Sequence, residues 1–193
     1  MKKRSLRRRP SLSRRRKKVI YVGCEGKSEE AYVALLNEFI KEQKLDLWLE
    51  ADRLNPGAGD PLELVRKASK HVRKEGRNAF AYKVILLDQD RCSQNPQKAK
   101  EARELAEKEG ILLLWQDPNH EGFLLRHLPG CQDQNPTTAE EAERRLRQKW
   151  PEYEKPMARK DLEKRIDWDG VRRAAGKLPC LQSLLEKIGL VRA

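Results

Sequence analysis

The chain has no long apolar run: nothing in its 193 residues approaches the roughly 20 consecutive apolar positions of a membrane-spanning helix. Its basic first residues are followed by Val19 to Gly23, an apolar stretch about one strand long that soon meets Glu25. That is too short for the core of a secretory leader, so a cytoplasmic protein with no membrane partner is expected. Cys24, Cys92, Cys131 and Cys180 form no Cys-x-x-Cys pair, which argues against a zinc knuckle or a thioredoxin-type motif and leaves ordinary reduced thiols. The His-Glu-x-x-His spacing of zinc proteases is also absent.

Acidic residues are missing from residues 1–18, which hold eleven Lys or Arg. Subtracting these from the total of 42 leaves 31 basic side chains against 30 acidic ones, so the formal charge of +12 belongs almost wholly to this segment. With so few apolar residues to fold around, residues 1–17 are expected to form a disordered basic arm. Arg14, Arg15 and Arg16 would bind phosphate there by counterion release, without reading sequence. A solubility or leader extension is the other use of such a composition.

From Lys18 onward strand-like and helix-like segments alternate, the pattern of a parallel sheet flanked by helices. Strands are predicted at Val19 to Gly23, around Leu45 to Leu49, at Tyr82 to Leu87 and at Ile111 to Trp115, the last as a buried strand. A helix carrying Tyr32, Leu35, Leu36, Phe39 and Ile40 follows the first strand, with Ser28 as its N-cap. Asn55 to Gly59 reads as a loop, Asp60-Pro61 opens a second helix, and Asn95-Pro96 opens a third that stops at Gly110. Past Pro118 strand signals vanish. Helices are expected over His120 to Leu128, over Thr138 to Trp150 with a Thr138-x-x-Glu141 capping box, over Lys160 to Ile166, over Gly170 to Leu178 and around Leu181 to Ile188. The organisation predicted is therefore an arm (1–17), an α/β core (18–128) and a helical C-terminal extension packed on the core (129–193). Trp48 and Trp150 stand at core or interface positions.

Gly23-Cys24-Glu25-Gly26-Lys27-Ser28 ends like a phosphate-binding P-loop, but Tyr21 stands where that motif needs its first glycine, and Glu25 would aim a negative charge at the phosphate. The segment makes better sense around Glu25, a carboxylate at the carboxyl end of a strand that can bind a metal or move a proton, or serve as a solvated turn residue. Asp88-Gln89-Asp90 ends another strand. Its two carboxylates suit hard Mg²⁺ or Mn²⁺, or bond local backbone as a polar turn. In a parallel sheet both segments reach the same edge. Asp117-Pro118-Asn119-His120-Glu121 follows the fourth strand to that edge, and Glu121 and His127, six residues apart, need not share a partner.

Three segments together resemble the RloB-like proteins: Cys24 to Tyr32, the strand ending in Asp88-Gln89-Asp90, and Pro118 to His127. Tyr153-x-Lys155 is similar to a downstream Tyr-x-Lys of that family. The resemblance implies a Toprim-like nuclease core from prokaryotic defence or abortive-infection loci. In it Glu25, Asp88 and Asp90 would hold Mg²⁺ or Mn²⁺, and Glu121 and His127 would be further catalytic residues. Where the family usually has Arg between the two aspartates this chain has Gln89, and where its third motif usually begins Asn-Pro-Cys-Phe-Glu this chain has Asp117 to Glu121. The expected activity is metal-dependent hydrolysis of DNA or RNA phosphodiesters, with Lys27 and Arg91 against phosphate and with a defence-system protein as a partner. A non-catalytic nucleic-acid or nucleotide binding module is the alternative.

Overall fold

The computed structural model describes residues 17–54, 60–76 and 78–191. Arg14, Arg15, Arg16 and the predicted loop at 55–59 lie outside the described residues. Along the chain run β1 (Lys18–Cys24), α1 (Lys27–Glu42), β2 (Leu47–Arg53), α2 (Pro61–Glu75), β3 (Tyr82–Asp88), α3 (Asp90–Gln94), α4 (Pro96–Glu109), β4 (Leu112–Gln116) and α5 (His120–Leu125). Then come α6 (Ala139–Lys149), α7 (Arg159–Glu163), α8 (Trp168–Ala175) and α9 (Pro179–Lys187). The four strands form one parallel sheet in the order β2-β1-β3-β4. No helix among the described residues is long and apolar enough to cross a membrane.

Helix boundaries follow local chemistry. Asp60 caps α2 by accepting the Glu63 N–H at 3.0 Å, and Pro61 takes the first turn, where a missing N–H costs nothing. Asn95 and Pro96 do the same for α4. Gly110 ends α4 at φ 62°, in the left-handed region that glycine enters without a Cβ penalty. Three local expectations are corrected. The N-cap of α1 is Gly26, two residues before Ser28; the Glu29 carboxylate accepts the Gly26 N–H at 3.1 Å, while the Ser28 hydroxyl accepts the Met157 N–H at 3.3 Å. Thr138 caps α6, but Glu141 reaches back one residue further, to the Thr137 N–H. The short α3 begins at Asp90 itself. Finally, β4 lies at the sheet's edge and is only partly buried, because no further strand among the described residues pairs with it.

Period-two alternation divides the strands between two layers. Ile20, Val22, Leu49, Val84, Leu86 and Leu114 face α1, α5 and the C-terminal helices in one apolar cluster that continues through Trp150, Tyr153, Leu162, Val171 and Leu185. Tyr21, Ile85 and Leu87 face α2 and α4 in a second cluster. At Gly23 a Cβ would stand 2.7 Å from Leu54 Cδ1, so glycine lets the β1 end pass under Leu54. On the outer strand β2, the Asn37 side chain of α1 donates to the Leu49 carbonyl and accepts the Leu49 N–H, both at 2.9 Å. Trp150 is core, whereas Trp48 on β2 is exposed.

Candidate active site

The strand order places β1 and β3 side by side, with α1 on one face of the sheet and α2 and α4 on the other. The winding therefore reverses between these two strands, and the crevice beyond their carboxyl ends is where doubly wound sheets bind ligands. Glu25 leaves β1 at this point and Asp88 ends β3. Glu25 Oε1 accepts the Asp88 backbone N–H at 3.2 Å, and Oε2 meets Arg91 Nε at 3.1 Å. Burial pushes the Glu25 carboxyl up to about 7 despite the opposing Arg91 charge and Asp88 N–H.

Asp88 shares the strand parity of Val84 and Leu86 and so faces the α1 layer. Its Oδ1 is buried without a hydrogen-bond partner, and Asp90 Oδ1 is in the same condition. Burial raises Asp88 far above the usual carboxylate range, and the charges of Glu25, Glu29, Asp90 and Glu121 add to the rise. Asp90 is raised too, by burial against the lowering effect of Arg91 and with Glu121 and Glu140 adding. Its own N–H is fixed by the Pro118 carbonyl at 2.9 Å, which ties the start of α3 to the loop after β4.

Glu121 lies at the same edge but has its partners. Buried at 3 % exposure, its Oε1 accepts the Tyr153 hydroxyl at 2.5 Å and pairs with Lys155 Nζ at 2.8 Å. Lys155 also reaches Glu143 at 3.4 Å. Burial and the Glu121 charge push the Tyr153 hydroxyl up, so it stays a proton donor. The loop before α5 is held by the buried Arg126, which donates to the Asp117 and Gly122 carbonyls and to Asn135 Oδ1. Gly122 packs so closely there that a Cβ would meet the Asp117 carbonyl oxygen at 2.7 Å.

His127 is wholly buried. Its Nδ1–H donates to the Phe123 carbonyl at 2.9 Å, which leaves Nε2 to accept the Tyr32 hydroxyl at 2.9 Å. Burial lowers its pKa to about 3, so the ring is neutral. With both nitrogens engaged inside the aromatic cluster of Tyr32, Phe123 and His120, His127 joins α1 to the end of α5 and has no nitrogen to offer a substrate.

The structure thus brings Glu25, Asp88 and Asp90 to one edge with Glu121 beside them, and sets His127 behind them in the core. Lys27 is exposed at the start of α1, and Arg91 is turned onto Glu25. Among the described residues no three His, Cys, Asp or Glu side chains stand close enough to hold a metal ion. The donor chemistry nevertheless fits a hard cation: the donors are all oxygen, two of the oxygens are buried and unpartnered, and the surrounding carboxylates repel one another. Sequence reasoning missed Glu29, whose position in the first helical turn carried no sign that its charge would bear on Asp88. It also missed Gln116, the register partner of Asp88 on β4, which is fully buried and donates to His120 Nδ1 at 2.7 Å.

These features define a doubly wound α/β protein with a carboxylate cluster at its topological switch point. The chain belongs to the RloB-like protein family, whose family model matches residues 20–177. No curated protein and no solved structure matches it.

Proposed function

We propose that this RloB-like chain is a Toprim-like, metal-dependent nuclease that hydrolyses phosphodiester bonds of DNA or RNA. The observation that carries the reading is the pair of buried, unpartnered carboxylate oxygens on Asp88 and Asp90 at the switch point. Leaving such groups unsatisfied costs about 1–3 kcal/mol each, a cost expected where function demands it. Asp88, Asp90 and Glu25 would hold Mg²⁺ or Mn²⁺; when bound, the ion orients a phosphate oxygen and takes up charge that develops on it. Glu25, with its carboxyl raised to about 7, is poised to hold or pass a proton near neutral pH. Arg91 holds Glu25 in place and, with Lys27, lies within the reach of a phosphate entering the crevice. Glu121, already neutralised by Lys155, shapes the cluster's field and fixes the chain around Tyr153. A role in prokaryotic antiviral defence, with a defence-system protein as partner, is supported by family membership.

The test is cleavage of labelled single- and double-stranded DNA and RNA with Mg²⁺, with Mn²⁺ and with chelator, by the wild type and by Glu25→Ala and Asp88→Ala. Metal-dependent cleavage lost in both variants supports the nuclease. One observation favours a second reading, a non-catalytic nucleic-acid or nucleotide binding module: Glu25 is already taken up by Arg91 and the Asp88 N–H. Salt-sensitive binding with no cleavage under any ion would establish that module instead.

A further inference from the structure

Helix α2 has two unlike faces. Leu64, Val65, Ala68 and Val72 are buried against the sheet, while Lys67, Lys70 and Lys74 stand on the opposite face at the three- and four-residue spacing that stacks side chains along a helix. At 1.5 Å rise per residue the row is about 10 Å long. These lysines line a groove of about 270 Å³ together with His71 of the same helix and Arg53 at the end of β2. The ion pairs around α2 and this groove join Arg73 to Glu109, Lys98 to Asp60, His71 to Asp52 and Arg53 to Glu30 of α1. Among the described residues Lys67, Lys70 and Lys74 have no acidic partner at ion-pair distance. The one carboxylate in the groove, Asp52, is taken up by the Tyr21 hydroxyl at 2.8 Å and by His71 at 3.3 Å. Three lysines without an acidic partner therefore face it, while Asp52 is engaged and Arg53 is held by Glu30 of α1.

The groove ends beside the strand that delivers Glu25. Arg53 pairs in register with Cys24, the residue before Glu25, so the groove's upper end lies one strand spacing, roughly 4.8 Å, from the end of β1. We infer that the α2–β2 groove is the track that holds the phosphate backbone of a nucleic-acid substrate, with Lys67, Lys70 and Lys74 each neutralising one phosphate. The inference rests on the substrate's being a nucleic acid. It assigns to the folded body a contact separate from the basic arm. Each neutralised phosphate contributes about 0.7–0.9 to the slope of log affinity against log salt, so the three lysines together account for about 2–3.

The test compares the full-length wild type with K67Q/K70Q/K74Q and with the control K41Q/K149Q/K160Q, which removes the same charge from exposed lysines on other surfaces. Binding of labelled DNA and RNA oligonucleotides is titrated over a salt series in chelator, with thermal melting to verify the fold. The expected result is a salt slope lower by about 2–3 in the α2 variant and unchanged in the control. An unchanged slope in the α2 variant, an equal loss in the control, or no nucleic-acid binding by the wild type overturns the inference. A parallel cleavage assay with Mn²⁺ separates it from the nuclease reading. Cleavage by the wild type with an unchanged slope in the variant removes the groove alone. A lowered slope with no cleavage under any ion removes the nuclease alone.

Discussion

Asp88 and Glu121 are carboxylates set into the same edge of one sheet, and the fold treats them in opposite ways. Glu121 has a tyrosine hydroxyl and a lysine on its oxygen, so its charge is compensated where it lies. Asp88 has an oxygen buried with nothing to bond and three other carboxylates besides Glu121 adding to its repulsion. A buried charge with partners can hold architecture together, whereas one without them weakens the folded state unless something arrives to neutralise it. The contrast sets a carboxylate compensated by its neighbours apart from one left uncompensated.

Substitution of both residues would break the comparison if it is wrong. If the proposed nuclease reading holds, Asp88→Ala is expected to lower cleavage by at least about 100-fold, since charge stabilisation by an ion there would be worth several kcal/mol. The variant should melt no lower than the wild type in chelator. Mn²⁺ should raise the melting temperature of the wild type but not that of Asp88→Ala, a readout independent of turnover. Glu121→Ala should do the reverse, costing about 1–3 kcal/mol in denaturant unfolding because the Tyr153 hydroxyl stays buried with no acceptor. Tyr32→Phe sharpens the scaffold side: it leaves His127 Nε2 buried and unbonded, and a loss of about 1 kcal/mol with unchanged metal affinity is expected.

A separate effect is in pH. In chelator, the folded chain holds a proton on Glu25 up to about 7, whereas the unfolded carboxyl releases it near 4.5, so this group's effect is a stability that falls as pH rises through that window. His127 acts in the other direction. Its folded pKa of about 3 lies below the ordinary 6.5, so protonation of the unfolded state lowers stability as pH drops from 6.5 toward 3. The Glu25→Gln variant isolates the first effect: its stability relative to the wild type should grow between pH 4.5 and 7 in denaturant titrations and level off above.

The parallel sheet and the arrival of Glu25 and Asp88 at one edge were readable in the sequence because both depend on local signals, apolar strands that end in carboxylates and helices that begin at Asp60-Pro61 and Asn95-Pro96. The strand order, which decides that β1 and β3 are neighbours and that β4 is an edge, depends on how the helices distribute over the two faces and is not written in any one segment. The partners of Glu121 lie 32 and 34 residues downstream, beyond the reach of periodicity or capping rules. His127 shows the same limit. Its place in a motif drew it toward chemistry, while the tyrosine that occupies it sits 95 residues earlier on α1.

The single side chain of Asn37 has a consequence for assembly. An outer strand offers a template for another chain's backbone, and such an edge invites fibrous association unless something blocks it. By presenting its amide to both the N–H and the carbonyl of Leu49, Asn37 imitates one residue of a neighbouring strand and uses up the middle of that template. A foreign strand laid along β2 would have to give up register at its centre, so association through this edge is discouraged, in contrast to the β4 edge on the far side of the sheet.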